Sequence, residues 1–343
     1  MKQVFFSGGR VMVCDVAEPS LSRGRLLVRT SYSVISAGTE SAGLDKSCVE
    51  SPSQDSPKIA VGYSAAGTVI GVGDGVEGYS KGDRVACAGV GYASHAEVIS
   101  VPMNLSVPIP ATVSSRDAAF CTLGAIAMQG IRRAAPQLGE IVVVVGLGLL
   151  GQLGAQMLSA AGCDTIGIDL SAERIAVAES LGLDLGLLAT DIGTTERILN
   201  ATDGHGADST IIYAHSPLSD ICNEAFKYTR RRGRIVVVGA VGMDLQRSDF
   251  FRREQDFLIS CSYGPGRYDP TYEEEGRDYP YEFVRWTENR NMRSFLRLVE
   301  KGKVRLDPLV TSVFSIDDAP AAYEQVLSSN SRLAVVLRYG DEE

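Results

Sequence analysis

The chain has 343 residues, enough for two domains that each bury a core. A hydrophobic fraction of 45% and a charged fraction of 22% are ordinary for a globular protein. The formal net charge of -9 excludes a general affinity for nucleic acid, which needs basic surface to displace counterions.

The chain opens Met1-Lys2-Gln3-Val4-Phe5-Phe6, with no signal-like apolar stretch. Its longest apolar run, over 141–145, is too short for a bilayer, so a cytoplasmic protein without membrane contact is expected. The seven cysteines (Cys14, Cys48, Cys87, Cys121, Cys163, Cys222 and Cys261) are far apart and odd in number. That spacing excludes paired-cysteine zinc ligation and argues for reduced, mostly buried thiols. The basic run Arg230-Arg231-Arg232 reads as the solvated end of an element.

From residue 1 to about 110, short runs of β-formers alternate with Gly, Pro and Ser, which predicts a turn-rich, barrel-like β domain. A helix of small residues is predicted over 115–133. Apolar strands follow over 141–145, 165–168, 185–188, 209–213, 235–238 and 258–262. Helices over 149–161, 172–181 and 218–228 alternate with them. Short apolar strands separated by helices imply a parallel sheet covered on both faces. The stretch 263–286 is irregular and rich in Tyr, Pro, Gly and charge. A helix over 291–301, a strand within 304–314, a helix over 317–327 and a strand over 332–337 complete the chain.

The strongest motif is Gly146-Leu147-Gly148-Leu149-Leu150-Gly151, a G-x-G-x-x-G string directly after an apolar strand and opening a helix. Gly146 makes the tight turn, Gly148 lets the backbone approach a pyrophosphate, and Gly151 lets helix and strand pack closely. The helix start at Leu149 and Leu150 offers free N–H groups to phosphate. Asp169 ends the next strand, 18 residues after Gly151, where a ribose-binding acid belongs. A carboxylate there favours NAD and repels the 2′-phosphate of NADP, while nearby Arg174 tempers the preference. Ligands bind beyond the carboxyl ends of parallel strands, which adds Ala214, His215, Gly239 and Ala240 as cofactor-binding candidates. His95 is expected to pack on a strand and His205 to sit in a surface turn.

With these residues in order, the chain resembles the medium-chain dehydrogenase/reductase superfamily. The resemblance rests on Gly62-Tyr63-Ser64-Ala65-Ala66-Gly67, Gly82-Asp83-Arg84-Val85, the glycine string, and Gly233-Arg234-Ile235-Val236-Val237-Val238-Gly239. Within that superfamily it is similar to the dehydrogenase part of zinc-less bi-domain oxidoreductases. The stretches concerned are Val34-Ile35-Ser36-Ala37-Gly38-Thr39-Glu40, Ser262 to Pro270 and Tyr279 to Glu288. The resemblance implies an α/β fold: a GroES-like β-barrel catalytic domain (1–115 and 292–343) and a doubly wound Rossmann NAD-binding domain (116–291). It also implies a homodimer.

In zinc relatives a Cys, a His-Glu pair and a further Cys or His hold a catalytic metal. Here the matching positions are Ala37, Tyr63-Ser64 and the vicinity of Cys121-Thr122, too few for a site that needs three ligands. No zinc is therefore expected, and the proton of the reacting alcohol falls to acid–base groups. Tyr63, in the place of the lost His, and Glu40 are the catalytic candidates. Their structural alternatives are a cleft wall for Tyr63 and a helix cap near Ser41 for Glu40. Tyr263, Arg267, Tyr268 and Trp286 are the substrate candidates, with Arg285 beside them and inter-domain packing as the alternative.

The expected function is hydride transfer between NAD and a secondary alcohol or ketone, with a sugar, cyclitol or related polyol as the small-molecule substrate. An NADPH-dependent quinone or double-bond reductase, and a catalytically inactive nucleotide-binding protein, are the alternatives.

Overall fold

The computed structural model describes residues 1–41, 44, 57–328 and 333–340. The chain separates into two compact units. The first contains Met1–Ala125, Pro265–Lys301 and Val310–Glu343; the second contains Ile126–Gly264 and Gly302–Leu309.

The first unit begins with a hairpin of β1 (Lys2–Ser7) and β2 (Arg10–Asp15). Gly8 and Gly9, both at positive φ, make its two-residue turn (φ 53 and 74). Then come β3 (Arg25–Ile35), β4 (Ile59–Ala60), β5 (Ser64–Val72), β6 (Arg84–Ala88), β7 (Val98–Pro102) and β8 (Ser106–Pro108). The second unit supplies β9 (Ile141–Val145), β10 (Asp164–Asp169), β11 (Leu185–Leu188), β12 (Ala207–Ile212), β13 (Thr229–Val237) and β14 (Asp256–Ile259). The first unit resumes with β15 (Val310–Ser315) and β16 (Ala334–Arg338).

In the first unit the long strand β3 pairs antiparallel with β5, β7 and β16. The sheet order is β15-β16-β3-β5-β6-β8, and β1 joins β2 and β4 in a small second sheet. Alternate residues of β1 point inward: Val4 and Phe6 are buried with Ile35, Ile316, Tyr323 and Leu337. The two-residue period of the sequence thus selects the buried face.

The second unit is a parallel six-stranded sheet of order β11-β10-β9-β12-β13-β14. The order reverses between β9 and β12, the topological switch point of a Rossmann fold. Val142, Val143 and Val144 have no exposed surface, as the unbroken apolar run demands of a strand covered on both faces. Each such side chain contributes roughly 1.5–3 kcal/mol by burial.

Several boundaries differ from the sequence reading. The predicted helix over 115–133 is two helices, Ser115–Ala118 and Cys121–Ala134. The strand expected within 304–314 starts only at Val310, after a 3-10 turn at Asp307–Leu309. The segment Pro265–Lys301 lies in the first unit, whereas the sequence reading kept residues up to 291 with the cofactor domain. Polar contacts hold it there. Asn104 Nδ2 donates to Tyr272 O at 2.7 Å, and Asn289 Nδ2 donates to Asn104 O and Ser106 O, each at 2.9 Å. Among the described residues no helix is long and apolar enough to cross a membrane.

Candidate active site

In the second unit, the carboxyl ends of β9, β10, β12 and β13 bring the glycine string, Asp169, Ala214-His215 and Gly239-Ala240 to one edge of the sheet. Gly146 takes a left-handed φ of 88, and a Cβ there would meet Ala214 N at 2.7 Å. A Cβ on Gly151 would stand 1.9 Å from Gly146 O, so the helix Leu149–Ala160 can lie this close to β9 only with glycine there. Gly148 differs: a Cβ would meet only Arg174 Nη1, at 3.8 Å. The space above its backbone is open, as a pyrophosphate-binding turn requires. Leu149 and Leu150 open the helix, whose first N–H groups lack intrahelical partners. Gly239 packs under Ala214, and His215 and Ala240 are exposed beside them.

Asp169 is buried, and its carboxylate is held by two backbone donors. Leu147 N donates to Oδ2 at 2.6 Å and Ser171 N to Oδ1 at 2.8 Å. A carboxylate has about four acceptor positions, so two remain for a ligand. Arg174 Nη1 lies 3.9 Å from Asp169 Oδ2, and Arg174 Nε is buried without a hydrogen-bond partner among the described residues. Gln152 Nε2 ties the turn together, donating to Leu147 O at 3.1 Å and Arg174 O at 2.8 Å. An open glycine turn, a helix start, a fixed carboxylate and an orphaned arginine donor fit a dinucleotide. The glycines and Leu149-Leu150 would hold the pyrophosphate, Asp169 the ribose hydroxyls, and Arg174 either neighbour.

In the first unit, Tyr63 and Glu40 belong to one buried polar cluster. Tyr63 precedes β5, is 7% exposed, and donates its hydroxyl proton to Ser36 Oγ at 2.5 Å, with Thr39 Oγ1 at 3.5 Å. Burial pushes the Tyr63 phenol up to about 12, and the Glu40 charge adds to the effect against hydrogen bonds that lower it. Glu40, 6% exposed, accepts from Ser36 N at 2.8 Å through Oε1. Its Oε2 accepts from Tyr323 and lies 3.2 Å from His95 Nε2. The helix here starts at residue 37, so the carboxylate caps it at Ser36 and not near Ser41.

His95 was expected only to pack on a strand. It is completely buried and polar on both sides, with Nδ1 2.7 Å from Ser33 Oγ, which lies 2.7 Å from Tyr339 OH. Ser36, His95 and Tyr323 join Tyr63 and Glu40 in this cluster, which no sequence motif signals.

The substrate candidates fall in different places. Tyr263 is buried in the second unit. Arg267, Tyr268 and Trp286 are in the first. Arg267 Nη1 pairs with Glu273 Oε1 at 2.7 Å and its guanidinium lies 4.0 Å from the centre of the exposed Tyr268 ring. Trp286 carries Arg285 over its face at 3.7 Å.

The zinc donor set does not fit. The Tyr63 phenol stays protonated and bound to Ser36, and Thr122 Oγ1 donates to Tyr63 O at 3.2 Å and Cys87 O at 3.3 Å. Cys121 is buried, with its Sγ 3.5 Å from Met292 O, and burial holds its thiol well above the usual range. Among the described residues no group of three His, Cys, Asp or Glu could hold a metal ion. The described cysteines are free thiols, buried except Cys14 and Cys261; Cys48 lies outside the described residues.

Comparison with known proteins follows the same division. Residues 23–111 match the alcohol dehydrogenase GroES-like domain and residues 150–274 the zinc-binding dehydrogenase family. The chain is 28% identical over 290 residues to D-guloside 3-dehydrogenase of Escherichia coli strain K12, covering 82% of this chain and 77% of that protein. Its fold is similar to galactitol-1-phosphate dehydrogenase from Escherichia coli, with TM-score 0.81 and 18% identity over 98% of this chain and 100% of that one. It is also similar to an alcohol dehydrogenase from Escherichia coli CFT073 complexed with NADH, with TM-score 0.80 and 19% identity over 98% and 99% of the two chains. A GroES-like domain and a zinc-binding dehydrogenase domain, matched in this order along the chain, mean that it belongs to the medium-chain dehydrogenase/reductase superfamily, as an oxidoreductase.

Proposed function

We propose that the protein is a zinc-independent, NAD-dependent dehydrogenase of a secondary alcohol or its ketone, with a sugar, cyclitol or related polyol as substrate. The observation that supports this reading is the buried Tyr63–Ser36–Glu40 cluster, in which Tyr63 stands at the position that the resemblance gives to a metal-ligating His. The resemblance to zinc-less bi-domain oxidoreductases supports the absence of metal. The names of D-guloside 3-dehydrogenase and galactitol-1-phosphate dehydrogenase support a polyol substrate.

The bound cofactor supplies a hydride acceptor or donor at its nicotinamide ring. Asp169, with two acceptor positions unused by the backbone, favours the two ribose hydroxyls of NAD over a 2′-phosphate. Tyr63, protonated up to about pH 12, is a hydrogen-bond donor throughout the working range. It can give its proton to a substrate oxygen only by releasing Ser36, so an exchange of partner is the step required of it. Glu40, beside Ser36, raises the Tyr63 phenol and so disfavours loss of its proton to water. Arg267 and Tyr268, with Trp286, are the substrate-side candidates. A homodimer belongs to the same reading, supported by Ile259, half-exposed on the outermost strand β14.

Tyr63→Phe tests the proton role. Turnover should fall about 100-fold, the scale of a lost general acid–base group, while NADH affinity stays at the wild-type value. Stopped assays with a polyol panel and a parallel fluorescence titration measure both. Unchanged turnover would remove Tyr63 from the chemistry.

A further inference from the structure

The donors around Glu40 define a direction. An ionised carboxylate only accepts, so Ser36 N–H, Tyr323 O–H and His95 Nε2–H all point at it. A neutral His95 with its proton on Nε2 accepts at Nδ1, where Ser33 Oγ lies at 2.7 Å. Ser33, giving its proton to His95, must in turn accept from Tyr339 OH at 2.7 Å. The chain Tyr339 to Ser33 to His95 to Glu40 then runs one way, with each hydroxyl and ring nitrogen satisfied.

We infer that His95 is a positioning residue for the reaction: held in the Nε2–H tautomer by Ser33 and Tyr339, it fixes the Glu40 carboxylate that in turn fixes Ser36 and Tyr63. The inference rests on the reading of Tyr63 and Glu40 as the acid–base groups. Buried ring nitrogens need partners in any role, and here one of those partners is the Glu40 carboxylate that also receives Ser36 N–H. His95 has no exposed surface, and the groups facing the cluster are Tyr63, Tyr323, Tyr339 and, beyond Tyr339, Glu97. The three tyrosines are all held in their neutral, proton-donating form by burial. Within the cluster, Glu40 faces Ser36 N–H, His95 Nε2 and Tyr323 O–H, while Tyr63 donates to Ser36 Oγ. The arrangement follows the general pattern in which a buried hydrogen bond to the far ring nitrogen sets which nitrogen of a histidine carries the proton.

The test combines turnover with a spectroscopic signature. His95→Leu should lower turnover about 10- to 100-fold, the value of a lost hydrogen bond to a charged group, without changing NADH affinity. His95→Gln, which can still present an N–H to Glu40, should recover most of that loss. Nitrogen-15 spectra of the wild-type imidazoles should show one buried ring in the Nε2–H tautomer, distinct from exposed His205 and His215. The reverse tautomer, or a Leu variant with wild-type turnover, overturns the inference. If His95→Leu does not fold, the Gln variant and the spectrum still decide it. Glu40→Gln separates the two levels. Full turnover there would sink the underlying acid–base reading, whereas collapse of Glu40→Gln beside an active His95→Leu would sink only the role of His95.

Discussion

Gly148→Ala should leave the melting temperature at the wild-type value and weaken NADH binding about 100-fold. The added methyl finds open space in the free protein, since its nearest contact would be Arg174 Nη1 at 3.8 Å. Gly148 has φ -66 and ψ -172, which alanine adopts without strain. The methyl would stand where a pyrophosphate must approach the backbone. A loss of two decades corresponds to about 2.7 kcal/mol, within reach of one blocked phosphate contact. Gly151→Ala should behave in the opposite way. Its Cβ would lie 1.9 Å from Gly146 O, so helix and strand must separate, at a stability cost on the order of 3–5 kcal/mol. Calorimetry and fluorescence titration of both variants read the contrast. If Gly148→Ala binds NADH normally, the glycine string is a packing device and the cofactor cradle has been misplaced.

Glu288→Gln should make the protein more stable at pH 8 than the wild type, by an amount that vanishes as the pH falls. Glu288 is the first residue of the helix Glu288–Glu300, yet it has no exposed surface. Neither carboxyl oxygen has a hydrogen-bond partner among the described residues. Burial, reinforced by the charge of Glu273 and opposed by Arg267, raises the carboxyl to about 9. Between its ordinary value near 4.5 and about 9, the unfolded chain releases this proton and the folded chain keeps it. The unfolded state then binds fewer protons, so stability falls as pH rises through that window. The slope is about 1.4 kcal/mol per pH unit, or roughly 2–3 kcal/mol from pH 6 to pH 8. Glutamine has no proton to lose and removes that component. Urea unfolding of both proteins at pH 6, 7 and 8 measures the difference. Parallel curves would mean that Glu288 is ionised in the folded protein.

These two sites show unequal legibility. The cofactor cradle is local in sequence: a strand, three glycines, a helix and an acid follow one another within 141–169, so spacing alone places Gly146, Gly148, Gly151 and Asp169 at one sheet edge. The polar cluster is not local. Glu40 meets His95 across 55 residues and Tyr323 across 283, and no period in the chain links them. Glu288 misleads in another way. The expected helix starts at 291, whereas it begins at Glu288, with Thr287 accepting from Arg290 N as its cap. Only the return of Pro265–Lys301 to the first unit buries it. The same return, set by side-chain hydrogen bonds of Asn104 and Asn289, is why the domain boundary could not be read from the rhythm of strands and helices.

The most direct test of the account is a titration of the purified protein with NADH and NADPH, run with metal analysis of the same sample and a polyol oxidation assay. The account predicts tighter binding of NADH, no stoichiometric zinc, and reduction of NAD by at least one sugar or cyclitol in the presence of chelator. Preference for NADPH would contradict the role given to Asp169. Stoichiometric zinc needed for turnover would contradict the proton chemistry assigned to Tyr63 and Glu40.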